Sequence, residues 1–86
     1  PPADLTHGKR FGGGSITVKA SLKNSRIEQI RFEGDFLGCM EMKDIEQLLY
    51  GVVYERDAVS RVFEELDIRP YFGTITKEEV VSCIMG

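Results

Sequence analysis

The sequence predicts an α+β domain, a small antiparallel sheet of two or three strands packed against three helices. Two observations carry that reading. Residues 15–33 alternate apolar and polar side chains around a polar break at Asn24 and Ser25, the period-two signature of half-buried strands joined as a hairpin. From residue 41 onward the apolar residues recur every three or four positions, in stretches interrupted by Gly51 and Pro70, which is helical spacing. A lone hairpin is marginal in water, so the helices must cover its apolar face.

Taken in order, residues 1–14 read as a flexible Gly/Pro-rich lead, with the single domain occupying residues 15–86. Pro1-Pro2 and Gly12-Gly13-Gly14 disfavour regular structure, and Lys9-Arg10-Phe11 is at most a short extended piece. In the first strand Ile16, Val18, Ala20 and Leu22 point one way and Thr17, Lys19 and Ser21 the other. Lys23-Asn24-Ser25-Arg26 suits a tight turn. The second strand spans about residues 27–33, with Ile30 and Phe32 inward and Arg31 and Glu33 outward. Ile27 has the wrong parity for that face, which predicts a bulge or a two-sided contact there. Met42, Ile45, Leu48 and Leu49 share one face of a first helix. Glu41 and Asp44 lie in its first turn and Gly51 lies just past its end. Val59, Val62, Phe63 and Leu66 form the stripe of a second helix over about 55–67, which Arg69-Pro70 ends. A third helix begins at Thr76, where Thr76 and Glu79 have the T-x-x-E spacing of a capping box. Its buried face is Val80, Val81, Ile84 and Met85.

Composition narrows the functional classes. The chain has 86 residues, of which 42% are hydrophobic and 29% charged, values that suit a globular domain and argue against disorder. A domain this small folds with little margin, so a partner would stabilise it noticeably. No apolar run approaches the ~20 residues of a membrane-spanning helix, and Pro1-Pro2-Ala3-Asp4 has neither the basic nor the apolar region of a signal peptide. Cys39 and Cys83 are too few for a disulfide framework and wrongly spaced for zinc. The expected compartment is therefore the reducing cytoplasm. Net charge is −3, with residues 1–43 at +2 and residues 44–86 at −5. That is not the profile of a nucleic-acid binder, and no membrane contact is expected.

The segment Gly34-Asp35-Phe36-Leu37 is the most unusual. Gly34 lets the chain leave the sheet at a φ that other residues resist. Asp35 can accept backbone N–H bonds in the loop or cap the next element. Phe36 and Leu37 are either core or an exposed contact, and a strand exit whose aromatic packs inward is what the residues alone favour. Other candidates are weaker. His7, the only histidine, reads as a surface residue in the lead. Lys9, close to Gly8 and Gly12-Gly13-Gly14, has the ingredients of a phosphate contact without the order of a phosphate-binding loop. Cys39 follows Gly38 near a helix start, Cys83 reads as a small core residue, and Glu64, Glu65 and Asp67 as a solvated helix end. No catalytic residue and no metal ligand is assigned.

Ile30-Arg31-Phe32-Glu33-Gly34-Asp35-Phe36 resembles the I-x-x-x-G-D-F signature of the lipoate–protein ligase C-terminal domain. The Gly-rich lead His7–Ile16 and the strand–turn–strand behind it are similar to the family in the same order. Leu49-Tyr50-Gly51-Val52-Val53-Tyr54 matches its L-x-G-x-x-Y. The resemblance covers about residues 7–85. One departure is Leu37, where the family often has a second Phe; Leu keeps the apolar character. The family activates lipoic acid with ATP and Mg2+ as lipoyl-AMP. It then lipoylates carrier-domain lysines of 2-oxoacid dehydrogenase complexes and of the glycine cleavage H protein. Its catalytic domain holds the pocket and the essential lysine. The resemblance thus implies an accessory subunit that binds no cofactor itself, pairs with a separate catalytic subunit as a heterodimer, and docks through Gly34, Asp35, Phe36 and Leu37. Two other classes remain open: a sulfur-acceptor or scaffold protein of iron–sulfur assembly, which needs a reactive exposed cysteine, and a non-enzymatic interaction module.

Overall fold

A computed structural model describes residues 3–36 and 38–86. Three antiparallel strands, β1 (Leu5–Phe11), β2 (Gly14–Lys23) and β3 (Arg26–Gly34), form one sheet in the order β1-β2-β3. Four helices come after them: α1 (Lys43–Leu49), α2 (Arg56–Phe63), α3 (Arg69–Phe72) and α4 (Lys77–Met85). The fold class is α+β, as the alternation and the helical stripes predict.

The β2–β3 hairpin closes through Asn24 and Ser25, both at positive φ (53° and 63°). Paired positive φ values match the twist of the flanking strands and keep the hairpin tight. The parity break at Ile27 is a bulge. Ser21 pairs with Gln29 but Leu22 pairs with Ile27, so Glu28 is the extra residue. The slip turns both Ile27 and Ile30 into the core, which a regular strand could not do.

The expected flexible lead is instead β1. Phe11 pairs with Gly14 across the two-residue turn Gly12-Gly13, so the glycine run closes a hairpin. Alternation runs through β1, with Leu5, His7, Lys9 and Phe11 half-buried and Thr6, Gly8 and Arg10 exposed. Two of the inward residues are polar because of what they meet. Lys9 Nζ donates to the Ser82 carbonyl (3.2 Å) and hydroxyl (2.8 Å). His7 Nδ1 lies 3.2 Å from the Cys83 carbonyl and 3.1 Å from that of Ile84. Carbonyls only accept, so Nδ1 carries the hydrogen. Tyr54 Oη donates to the Ile84 carbonyl as well (2.7 Å). The Cys83 and Ile84 carbonyls end α4, where a helix leaves its last carbonyls without an internal partner, whereas the Ser82 carbonyl also accepts from Gly86 N (2.9 Å). His7 is thus no loose surface residue.

The helices depart from expectation in three places. A fourth helix, α3, occupies the site where Pro70 is expected only to terminate one. Pro70 sits in its first turn, where a missing N–H costs nothing. α2 ends at Phe63, not near Asp67. Leu48 is half exposed (51%). The seven-residue α1 buries only Ile45 and Leu49, with Met42 half-buried before it, and Leu48 falls to the side of that narrow stripe. The capping box forms as its spacing requires: Thr76 Oγ1 accepts from Glu79 N (3.1 Å) and Glu79 Oε1 accepts from Thr76 N (3.0 Å).

All four helices lie on one side of the sheet. Val80, Val81, Cys83 and Ile84 of α4 close over Ile16, Val18 and Ala20, and Phe63, Val59, Ile45 and Leu49 complete the layer. The outer edge of β3 is also covered. Ile27 exchanges backbone bonds with Gly51 and Val52, and Phe32 N donates to Glu46 Oε2 (3.0 Å). Phe72 is fully buried, edge-on to Phe32 (centroids 5.5 Å) and tilted against Phe36 (5.4 Å). Among the described residues no buried side chain is charged or polar, and no helix is long and apolar enough to cross a membrane.

Replacing Phe72 by Ala removes the ring shared by two aromatic contacts. The expected loss is about 3–5 kcal/mol, read as a lower urea midpoint. A loss below about 1 kcal/mol would show that Phe72 does not organise this end of the core.

Candidate docking site at the strand exit

β3 ends in a backbone turn that only glycine accepts without strain. Gly34 has φ +152°, and a Cβ there would run into the Ser15 carbonyl. Across from it Gly14 (φ +133°) leaves room for the Asp35 carbonyl in the same way. The two glycines let the start of β2 and the exit of β3 approach within hydrogen-bonding range.

Asp35 and Ser15 form a reciprocal clasp. Asp35 Oδ1 accepts from Ser15 N (2.7 Å) and from Ser15 Oγ (2.6 Å), and Asp35 N donates to the Ser15 carbonyl (3.2 Å). These donors favour the ionised form. The Ser15 hydroxyl first, then its backbone N–H, hold the Asp35 carboxyl below its usual range, with Arg10 adding a smaller pull. The ring of Phe36, half-buried, then packs on Phe72.

The loop is held on its far side as well. Cys39 N (2.7 Å) and Met40 N (3.1 Å) both donate to the Pro70 carbonyl. Gly38 passes so close to the Tyr71 carbonyl that a Cβ would collide with it. Tyr71 Oη donates to Asp44 Oδ2 (3.0 Å), joining α3 to α1, and that bond raises the phenol's pKa. Met40 is left half exposed (50%). The described parts of this edge, Gly34 to Met40, are tied down at two places, a clasped carboxylate at Asp35 and an apolar side chain at Met40.

Of the expected site residues, Gly34, Asp35 and Phe36 come together here, and Leu37 lies outside the described residues. Lys9 is elsewhere, with its ammonium on Ser82 at the end of α4. Cys39 is exposed and Cys83 buried. Burial pushes the Cys83 thiol up, the opposite of an activated nucleophile. Asp67, pulled down to about 2 by Arg69, belongs to an exposed ion pair (2.9 Å). Among the described residues no three His, Cys, Asp or Glu side chains converge as a metal site would require. Ser15, Met40, Pro70 and Phe72 are the parts of the edge that sequence reasoning missed. Ser15 stands 20 residues from Asp35, and no local pattern links them.

A three-stranded sheet under four short helices, with a glycine-bounded Asp35 clasp at the strand exit, defines a small α+β domain. A model of the family described as "Bacterial lipoate protein ligase C-terminus" matches residues 1–84, and the chain belongs to that family. It is 39% identical over 84 residues to the lipoate-protein ligase LplJ of Bacillus subtilis, covering 98% of this chain and 25% of the relative. It is 32% identical over 86 residues to lipoate–protein ligase 2 of Staphylococcus aureus, covering 100% and 25%. A crystal structure of P. falciparum LipL1 in complex with lipoate shares the fold, with a TM-score of 0.73 at 19% identity, over 99% of this chain and 25% of that one. The chain spans about a quarter of the length of the relatives it matches.

The clasp makes stability depend on pH in a fixed direction. The folded pKa of Asp35 lies below its unfolded value near 3.8. Its contribution is therefore complete above that value and fades as pH falls through the folded pKa. Asp67 titrates in the same range, so the informative quantity is a difference. Melting temperatures of the wild type and Asp35→Asn should differ most above pH ~5 and draw together as pH falls through the folded pKa. A constant difference across that range would show that the carboxylate charge contributes nothing.

Proposed function

We propose that this domain completes a lipoate–protein ligase. It docks through the Gly34–Met40 edge onto the catalytic part of the enzyme, which activates lipoate to lipoyl-AMP and passes the lipoyl group to a carrier lysine. The observation that carries this reading is the family match across nearly the whole chain, to relatives about four times as long that are named as lipoate–protein ligases. The geometry agrees with a docking role. Asp35 is tied to Ser15, and Cys39 and Met40 to Pro70, and backbone tied down in advance loses little entropy on binding. Phe36 and Met40 supply apolar contact, and Asp35 fixes their position. In this reading the partner is a separate catalytic subunit, and the pair forms a heterodimer.

The chemistry is assigned to that partner. A mixed anhydride must be made and kept in a closed, water-poor site, and the role of a small docked domain is to order the walls of that site. ATP, Mg2+ and lipoate are held by the catalytic part in this proposal. The described residues of the present chain do not fit them: Lys9 is engaged at the end of α4, and no acidic cluster converges as a metal site would require. The carriers are the lipoyl domains of 2-oxoacid dehydrogenases and the glycine cleavage H protein, and the compartment is the cytoplasm. The sulfur-acceptor alternative has an exposed cysteine in Cys39, but nothing beyond that exposure favours it over the family match.

Reconstitution tests the proposal. A catalytic subunit lacking this domain is supplied with lipoate, ATP and Mg2+, and pyrophosphate release is measured with and without the chain. Stimulation of roughly tenfold or more is expected, lost with Phe36→Asp, which puts a charge at the apolar contact. A Phe36→Leu variant, which keeps that contact apolar, should retain most of it. No stimulation by the wild-type chain with its cognate catalytic subunit would overturn the reading.

A further inference from the structure

The outward face of the sheet carries no helix among the described residues. Apart from Gly8 its outward strand positions are polar: Thr6 and Arg10 on β1, Thr17, Lys19, Ser21 and Lys23 on β2, and Arg26, Glu28, Gln29, Arg31 and Glu33 on β3. Five cations stand against two carboxylates there, a net +3 on a chain whose total is −3. The remaining surface therefore holds −6, and charge is segregated between the sheet face and the helical side.

The register makes the excess costly. Lys19 lies directly opposite Arg31, and Lys23 directly opposite Arg26. Like charges facing each other across a hairpin are destabilising. Arg26 escapes by donating to the Gly51 carbonyl (2.9 Å) on the helical side. Lys19 is partly relieved by Glu33 (3.3 Å). Arg31 makes no ion pair with the described residues. A broken pairing rule on an otherwise consistent hairpin is where a functional or strained surface is expected.

Between Lys19 and Arg31 is a shallow depression lined also by Ser21, Gln29, Ala20 and Ala3. An ammonium, a guanidinium, a hydroxyl and a carboxamide all offer N–H or O–H donors, the set that suits a carboxylate. Among the described residues no outward strand position is aromatic and Tyr50 borders the face only at the β3 edge, so the face lacks the row of rings on which a single-stranded nucleic acid stacks.

We propose that this face docks an acidic protein surface, with one of its carboxylates seated between Lys19 and Arg31. Resting on the function proposed above, that partner is the carrier whose lysine receives the lipoyl group. The sheet face and the Gly34–Met40 edge are then two surfaces with two partners. The edge meets the catalytic part through apolar contact, and the face meets the carrier through charge.

Charge reversal tests it in the complete ligase, with an apo carrier domain as the varied substrate. Arg31→Glu and Lys19→Glu should each raise the carrier KM roughly three- to tenfold at low salt. The effect should shrink as ionic strength rises toward ~0.5 M. Arg61→Glu, an equal charge change on the exposed side of α2, should leave the carrier KM as it was, and Arg31→Lys should restore most of it. Lys19 and Arg31 are solvent-exposed, so the variants are expected to fold, and their melting curves check that. Unchanged carrier KM in both reversals overturns the docking face while leaving the parent reading intact, provided the same preparations release pyrophosphate without carrier. Failure of that release in the wild type takes both down. Tighter retention by a single-stranded RNA oligonucleotide than by the carrier overturns the choice of partner.

Discussion

Phe72 is the side chain on which the positions of the others depend. It is fully buried, and it is in contact with Phe32 from the sheet and Phe36 from the strand exit. α3 is only four residues long, too short to be stable by itself. It exists because Phe72 anchors it, and once anchored it presents the Pro70 carbonyl to Cys39 and Met40. Cys39 and Met40 thus take their place from an aromatic contact in the core.

Under the proposed function, that arrangement suits a domain whose contribution is shape. The clasp at Asp35 and the carbonyl contact at Pro70 are hydrogen bonds to backbone and hydroxyl groups that hold the chain on either side of the strand exit. They fix a surface. Among the described residues Cys83 is buried against backbone and Lys9 is spent on a helix end, while Cys39 is exposed. The family to which the chain belongs supplies the context in which such a surface has a use.

How much of this is legible in the sequence depends on whether the determining contact is local. The β2–β3 hairpin is readable because inward residues are apolar and outward ones polar, and even the bulge at Glu28 shows as a parity error at Ile27. The α4 cap is readable because Thr76 and Glu79 are three residues apart. β1 is hidden for a physical reason: its inward positions include His7 and Lys9, which meet carbonyls instead of apolar side chains. α3 is hidden because Pro70 and Gly73 read equally well as a helix end and as a one-turn helix. At the site, Gly34-Asp35-Phe36 stands out as a segment, yet its partners Ser15, Pro70 and Phe72 are distant in sequence and share no pattern with it.

The tie between β1 and the last turn of α4 has a consequence for biosynthesis. His7 bonds to a residue 77 positions later, and Lys9 to one 73 positions later. Until that final turn has emerged from the ribosome, the inward side of the first strand has no acceptors for its imidazole and ammonium. The β2–β3 hairpin can form early from nearby residues, whereas closing the sheet over its helices must wait until α4 has been made. From the emergence of β3 to that of α4 the nascent domain would thus expose apolar hairpin surface, which is the interval in which a chaperone has something to hold.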